Sequence, residues 1–252
     1  MTTSTLCIFL PWDTHFFGVR IGRVNPHYLT KTSMRDILKW EKSNSIDCLY
    51  FLAEFDDPET IRLAEANHFQ LEDIRITLES NRSRNEKNIY RVVGNIITRT
   101  VQPADISTLE DIARKSHKDT RFYFDRNFSK EKCDSLYATW IRRSCEGWAD
   151  QVLVAEMNGR AVGYITCKAL DESVGQIGLV GVDEQARGQG IGKSLILAAL
   201  DWFSIHNIHS AQVVTQGRNI SAQRLYQKCG FTIHSLQLWY HRWTNRPGDQ
   251  VG

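Results

Sequence analysis

The residues whose types and spacing best suit chemistry are the glycines at 188, 190 and 192, with Arg187 ahead of them and Lys193 behind. Glycine amides approach an anion with no Cβ in the way, and a helix starting just beyond them adds the positive end of its dipole. The stretch therefore reads as a pyrophosphate cradle. A Walker loop needs a glycine five residues before the glycine of Gly-Lys-Ser, where this chain has Arg187. A dinucleotide fingerprint counted from Gly188 or Gly190 needs a glycine where Lys193 and Leu195 stand. Neither fits. The competing use of the glycines is close packing at a strand-to-helix turn.

What does fit is Arg-x-x-Gly-x-Gly, here Arg187-Gly188-Gln189-Gly190-Ile191-Gly192. It resembles the acetyl-CoA signature of the GCN5-related N-acetyltransferases (GNAT). A second point of resemblance follows one apolar strand later: Asn219, then a helical stretch containing Tyr226 and ending in Gly230-Phe231. The resemblance implies a GNAT fold of the α/β (α+β) class, a mixed, mostly antiparallel sheet flanked by helices. It implies acetyl-CoA as cosubstrate, held by the main chain of Gly188, Gln189, Gly190, Gly192 and Lys193, with Arg187 and Lys193 adding charge. The strand ending at Val182 would be splayed from its neighbour, so that peptide groups near Leu179, Val180 and Val182 pair with the pantetheine arm and polarise the acetyl carbonyl. Asn219 matches the position that touches the cofactor arm, and Tyr226 the tyrosine that hydrogen-bonds the departing sulfur. A phenol of pKa near 10 can donate to a thiolate whose conjugate acid lies near 8.5. The alternative for Tyr226 is a ring packed in the core. His68, His117, Glu72, Asp73, Asp119 and Glu156 are all candidate bases, and spacing does not choose among them. No Cys or Ser stands in a nucleophile arrangement, so direct attack by an amine is simpler than an acyl-enzyme.

These groups need a scaffold. Before the cradle, Gln151–Glu156 and Ala161–Lys168 read as strands joined through Asn158-Gly159, a strong hairpin signal. A third strand, 174–182, delivers the chain to the loop. Ser129 starts a helix with an apolar stripe at Cys133, Leu136, Tyr137, Trp140 and Ile141, and Asp105 is placed to cap the helix before it. Earlier, Met34, Ile37, Leu38 and Glu41 share a helical stripe, Cys48–Leu52 is a buried strand, and Asp57-Pro58 opens another helix. Near the start, Pro11-Trp12-Asp13 and Phe16-Phe17-Gly18 read as a dense loop between strands. Its aromatics serve either as core plugs or as a wall for a ring-bearing substrate.

An internal echo runs through the chain. A helix, Ala66-Asn67-His68-Phe69 and an alternating strand match a helix, Lys228-Cys229-Gly230-Phe231 and the final strand. The first half reads as a reduced copy that lacks the glycine loop and does not bind cofactor. The polar, aperiodic stretch 80–88 is the best linker, giving a truncated GNAT-like domain at 1–88 and a complete one at 89–252.

A further resemblance covers most of the chain. Leu10–Gly18, His68–Asp73, Asp119–Phe122 and Trp239–Arg242 look like the TDP-4-amino-4,6-dideoxygalactose (TDP-fucosamine) N-acetyltransferases, which acetylate a nucleotide-linked aminosugar for surface polysaccharide. That likeness implies an acceptor between the domains and water-mediated base chemistry at Asp73. Within the loop 117–128, Arg121 suits a phosphate and Phe122 a stacked base; a solvated connection stapled by its aromatics is the competing reading. The superfamily motif equally permits a protein N-terminus or another small amine as acceptor, and a non-catalytic acyl-CoA sensor is a rival from another class.

Composition narrows the rest. A 42% apolar and 24% charged chain of 252 residues is that of a globular protein able to bury a core. A net charge of +2 with both signs interspersed disfavours nucleic acid. No run approaches the roughly 20 apolar residues that span a bilayer, and residues 1–7 do not resemble a secretory signal; the expectation is a cytoplasmic protein with no membrane partner. Cys7, Cys48, Cys133, Cys145, Cys167 and Cys229 show no chelating spacing, so no metal is expected and they read as free thiols. A homodimer is an open assembly state.

Overall fold

The computed structural model describes residues 5–81, 92, 93 and 95–244, so most of the expected linker and the boundary at 88/89 lie outside the described residues. The chain runs β1 (Cys7–Phe9), α1 (Pro11–Phe17), β2 (Ile21–Val24), α2 (Lys31–Ser43), β3 (Cys48–Glu54), α3 (Pro58–Ala66) and β4 (Gln70–Asn81). It continues through β5 (Val92–Val93), β6 (Ile96–Thr100), α4 (Ile106–Ser116), α5 (Arg121–Phe124), α6 (Lys130–Arg143), β7 (Gln151–Met157), β8 (Arg160–Ala169) and β9 (Val174–Val182). Then come α7 (Ile191–Ile205), β10 (Ser210–Gln216), α8 (Ile220–Lys228) and β11 (Thr232–Trp243). Contacts divide it into two compact units, one of residues 1–75, 124–128 and 236–252, the other of 76–123 and 129–235. β4 and β11 have residues in both.

In the first unit the strand order is β1-β2-β3-β11-β4. β2 and β3 run parallel, while β3 and β11 run antiparallel with Glu54 opposite Gln237 and Cys48 opposite Trp243. The helices start where their caps dictate: Thr30 and Ser33 form a capping box for α2, and Asp57 accepts from the Thr60 amide at the head of α3. Their apolar faces bury Ile37 and Ala64 against Leu49, Phe51, Phe69 and Tyr240. Glu41 falls on the same stripe of α2 and is fully buried, where Arg242 Nη1 holds it. Burial raises its pKa and the guanidinium opposes that rise. One expectation is corrected here. Pro11–Phe17 is a helix rather than a loop, with proline at its first turn and Gly18 closing it at φ 77°. The helical spacing stacks Trp12 on Phe16, ring centres 5.1 Å apart, which a loop reading misses.

In the second unit the order is β4-β10-β9-β8-β7-β6-β5, antiparallel from β9 to β5 and parallel between β9 and β10. Asn158 and Gly159 both take positive φ, 52° and 76°, as the two-residue hairpin between β7 and β8 requires. α7 is apolar almost all round, burying Leu195, Ile196, Ala199 and Phe203. Gly175 exists to admit that helix: a Cβ there would lie 2.3 Å from the Phe203 ring. Asp105 does not cap α4. Its carboxylate instead grips Arg99 through both oxygens and takes the Gln102 amide, since a guanidinium fork outcompetes a helix amide.

Candidate active site

β8, β9 and β10 build the site. Parallel pairing of β9 with β10 covers Val174–Ile177 against Ser210–Val213 and stops there, although β9 continues to Val182 and β10 to Gln216. The two strands thus separate, and one side of β9 from Gly178 onward has no β10 partner. On its other side the β8 register slips between Ile165 and Cys167, so that Gly178 and Leu179 together face Thr166. The Thr166 hydroxyl fills the break by accepting from the Leu179 amide at 2.8 Å. Only glycine permits this at 178, where a Cβ would fall 2.7 Å from Thr166 Oγ1. Of the peptide groups near Leu179, Val180 and Val182 that the resemblance pairs with a bound arm, the Leu179 N–H is engaged by Thr166. The edge beyond it carries Val180 and Val182.

Past β9, a short turn at Glu184–Ala186 leads to Arg187 and the glycines. Gly188 and Gly190 sit at φ 78° and 84°, with open space where a Cβ would project, and Gly190 is the N-cap of α7. The first amide of α7 with a main-chain acceptor is Ser194, donating to Gly190 O; those of residues 188–193 have none among the described residues. They stand at the positive end of a 15-residue helix, where residues 188–190 and Lys193 are exposed, Gly192 half-buried and Ile191 buried. Gly192 has a different task, since a Cβ there would press to 2.9 Å of the Leu225 side chain, so it sets how closely α7 meets α8. Arg187 is drawn back along the strand, Nε donating to Val182 O at 3.3 Å, while Lys193 is exposed beside the loop.

α8 supplies the two remaining groups. Asn219 is its N-cap, Oδ1 accepting from the Ala222 amide at 3.1 Å and from the Ser221 hydroxyl at 3.0 Å, which leaves the amide NH₂ as the donor end. Tyr226, one face of the helix later, is 5% exposed, its ring 6.0 Å from Phe231. Burial pushes its pKa above the usual phenol value, so the hydroxyl is a neutral donor at physiological pH.

The candidate bases separate in character. Glu156 is bound by Arg99 Nε at 2.6 Å and is a structural ion pair. His117 Nε2 meets the Tyr164 hydroxyl at 2.9 Å and its ring stacks on Tyr137; burial lowers its pKa to about 4, too weak to take a proton near neutrality. His68 is exposed at φ 63°, a conformation usual for glycine, and Asp119 is exposed. Glu72 and Asp73 are buried in β4, in the first unit, where Asp73 Oδ1 accepts from the Ile74 amide. Of the acceptor-side pair, Arg121 lies over the Phe122 ring at 4.2 Å. Phe122 is 3% exposed, edge-on to Trp140, and its carbonyl receives the Cys133 thiol. Its ring is therefore a core staple.

One cluster went unread in the sequence. Asp125 and His241 form a buried pair at 2.6 Å in the first unit, with Trp243 Nε1 donating to the same carboxylate oxygen and Asn127 to the other. Burial would raise the Asp125 pKa, but these donors hold it below the usual value. Glu72 lies close enough to complete a three-ligand set, yet both Asp125 oxygens are already committed to donors. The partners are 116 residues apart, and no local pattern signals them.

The cradle and the splayed strand together are a geometry able to hold an extended ligand that ends in a pyrophosphate. The sequence model of the acetyltransferase (GNAT) family matches residues 109–231. Residues 109–231 are thus similar to the GNAT acetyltransferases. The match takes in the β8–β9 bulge, the glycine loop and Tyr226. The spore coat polysaccharide biosynthesis protein SpsD of Bacillus subtilis is 26% identical over 150 residues, covering 60% of this chain and 50% of its own. The chain spans from about a third to half of the length of the curated relatives it matches. Among solved structures, a GCN5-related N-acetyltransferase from Sphaerobacter thermophilus superposes with a TM-score of 0.65 at 14% identity, covering 95% of this chain and 76% of that one. A tandem GNAT protein from the clavulanic acid biosynthesis pathway superposes at 0.60 and 14% identity, over 91% and 77%. These likenesses show a mixed α/β fold of tandem GNAT type. No helix among the described residues is long and apolar enough to cross a membrane.

Proposed function

We propose that this protein transfers acetyl from acetyl-CoA to the amine of a nucleotide-linked aminodideoxy sugar. The observation that carries the reading is the end of β9–β10 pairing at Ile177–Val213, followed by unpartnered amides at residues 188–193. Acetyl-CoA, when bound, supplies an activated thioester. The exposed amides of the loop would hold its pyrophosphate, with Lys193 adding charge. The edge of β9 at Val180 and Val182, which has no β10 partner and whose Val182 carbonyl Arg187 Nε takes here, would line up the pantetheine arm as an added strand, and the NH₂ of Asn219 would donate to it. Tyr226, kept neutral by burial, would donate its hydroxyl hydrogen bond to the departing sulfur.

Direct attack by the amine suits the thiols of this chain. Cys7 and Cys145 are pushed up to about 12 and about 11 by burial, so neither supplies a thiolate nucleophile near neutral pH. Asp73 is the group we assign to proton uptake through water. The aminosugar rests on the sequence likeness and on the polysaccharide role named for the Bacillus relative. A thiol-release assay across TDP- and UDP-linked aminosugars and free amines tests it: turnover should be most efficient with the nucleotide-linked sugars and fall in Asp73→Asn. Turnover with peptides or simple amines alone would overturn the acceptor assignment.

A further inference from the structure

Resting on the acetyl-transfer reading, we infer that the cavity between α6 and the bulged edge of β9 receives the amine acceptor, and that Lys168 selects acceptors carrying a phosphate or similar anion. The cavity measures about 540 Å³ and lies wholly within the second unit. That volume suits a small ligand rather than a macromolecular face. Its floor includes Gly178 and Leu179, the first residues of β9 past the last β10 pair. The cavity therefore opens where the splay begins, beside the Thr166 hydroxyl that pins the bulge.

Alternation along β8 fixes its length. Tyr164, Thr166 and Lys168 share one face of the strand, and α6 lays Tyr137 and Trp140 along that face, their rings 5.2 Å apart. At the Tyr164 end the wall is closed by His117. The other end of that row is Lys168, which lines the cavity. Lys168 Nζ donates to Trp148 O at 3.0 Å, leaving further hydrogens for a ligand. The Arg143 guanidinium lies 4.6 Å over the Trp148 ring. Of the carboxylates near this end, Asp150 is turned to the Ala169 amide and Glu146 pairs with Arg142. Trp140 and Trp148 offer flat apolar surface of the kind that packs on the C–H face of a sugar or on a base. A ring at the splay with an anion toward Lys168 is the ligand this arrangement fits.

The test compares Lys168→Met and Trp148→Ala with the unaltered chain, using TDP-4-amino-4,6-dideoxygalactose and the methyl glycoside of the same aminosugar. Acetyl-CoA affinity is followed by calorimetry. Lys168→Met should raise KM for the TDP sugar about tenfold, as loss of one charge-assisted hydrogen bond does, with kcat, the KM of the glycoside and acetyl-CoA affinity unchanged. Trp148→Ala should raise KM for both acceptors. Unchanged KM values in both variants, with acetyl-CoA binding and turnover intact, would overturn the cavity assignment. An unaltered chain that binds acetyl-CoA but turns over neither sugar would overturn the aminosugar reading, and one that binds no acetyl-CoA would overturn acetyl transfer itself.

Discussion

α3 and α8 are nearly the same object built twice. Each has nine residues, each is capped by a side-chain oxygen that accepts from the third amide on, Asp57 from Thr60 and Asn219 from Ala222. Each ends in a left-handed residue, His68 at 63° and Gly230 at 90°, before a buried phenylalanine. Even the closing bonds coincide: Phe69 N to Ala64 O and His68 N to Glu65 O in one, Phe231 N to Tyr226 O and Gly230 N to Gln227 O in the other. The frame is shared, and the chemistry is not. Where α8 carries Tyr226, α3 carries Ala64; where α8 has an amide with donors to spare, α3 has a carboxylate that repels phosphate. The glycine loop precedes only the second. Cap geometry therefore belongs to the fold, while a few side chains and one loop set the two copies apart.

The most severe way to break the difference is to erase the loop. Gly190→Val forces a β-branched residue to φ 84° and fills the space above the cradle, so acetyl-CoA affinity should fall more than about a hundredfold by calorimetry. Tyr226→Phe makes α8 as chemically silent as α3. We expect kcat to drop about a hundredfold, with acetyl-CoA affinity unchanged, in a thiol-release assay. Acid distinguishes the units in another way, because His117 belongs to the second. Its folded pKa of about 4 lies below the unfolded value, so the unfolded chain binds the proton first and stability is lost as pH falls from about 6.5 toward 4. That contribution is about 2 kcal/mol by pH 5, and His117→Gln should flatten the slope in denaturant titrations across that window. The smallest effect concerns the caps: His68→Gly should stabilise by about 0.5 kcal/mol and Gly230→Ala destabilise by about 1 kcal/mol in urea unfolding.

How much of this was legible follows from range. The loop, the Asn158-Gly159 hairpin and the caps at Asp57 and Ser129 are written in a few consecutive residues, and the structure has each of them. The echo was legible because the capping turn recurs with its spacing intact. Pro11–Phe17 misled because a cluster of aromatics masks helical spacing over fewer than two turns. Asp105 misled because Arg99 competes for it across a strand end. The Leu179–Thr166 bond depends on a one-residue slip between strands, and the Asp125–His241 pair on a separation of 116 residues. Neither leaves a local mark.

The claim beneath all of this is that one copy of the frame, and only one, grips the coenzyme. Calorimetric titration of the unaltered chain with acetyl-CoA measures that directly. Saturation at one molecule per chain is the predicted result; no uptake, or two molecules per chain, would contradict it.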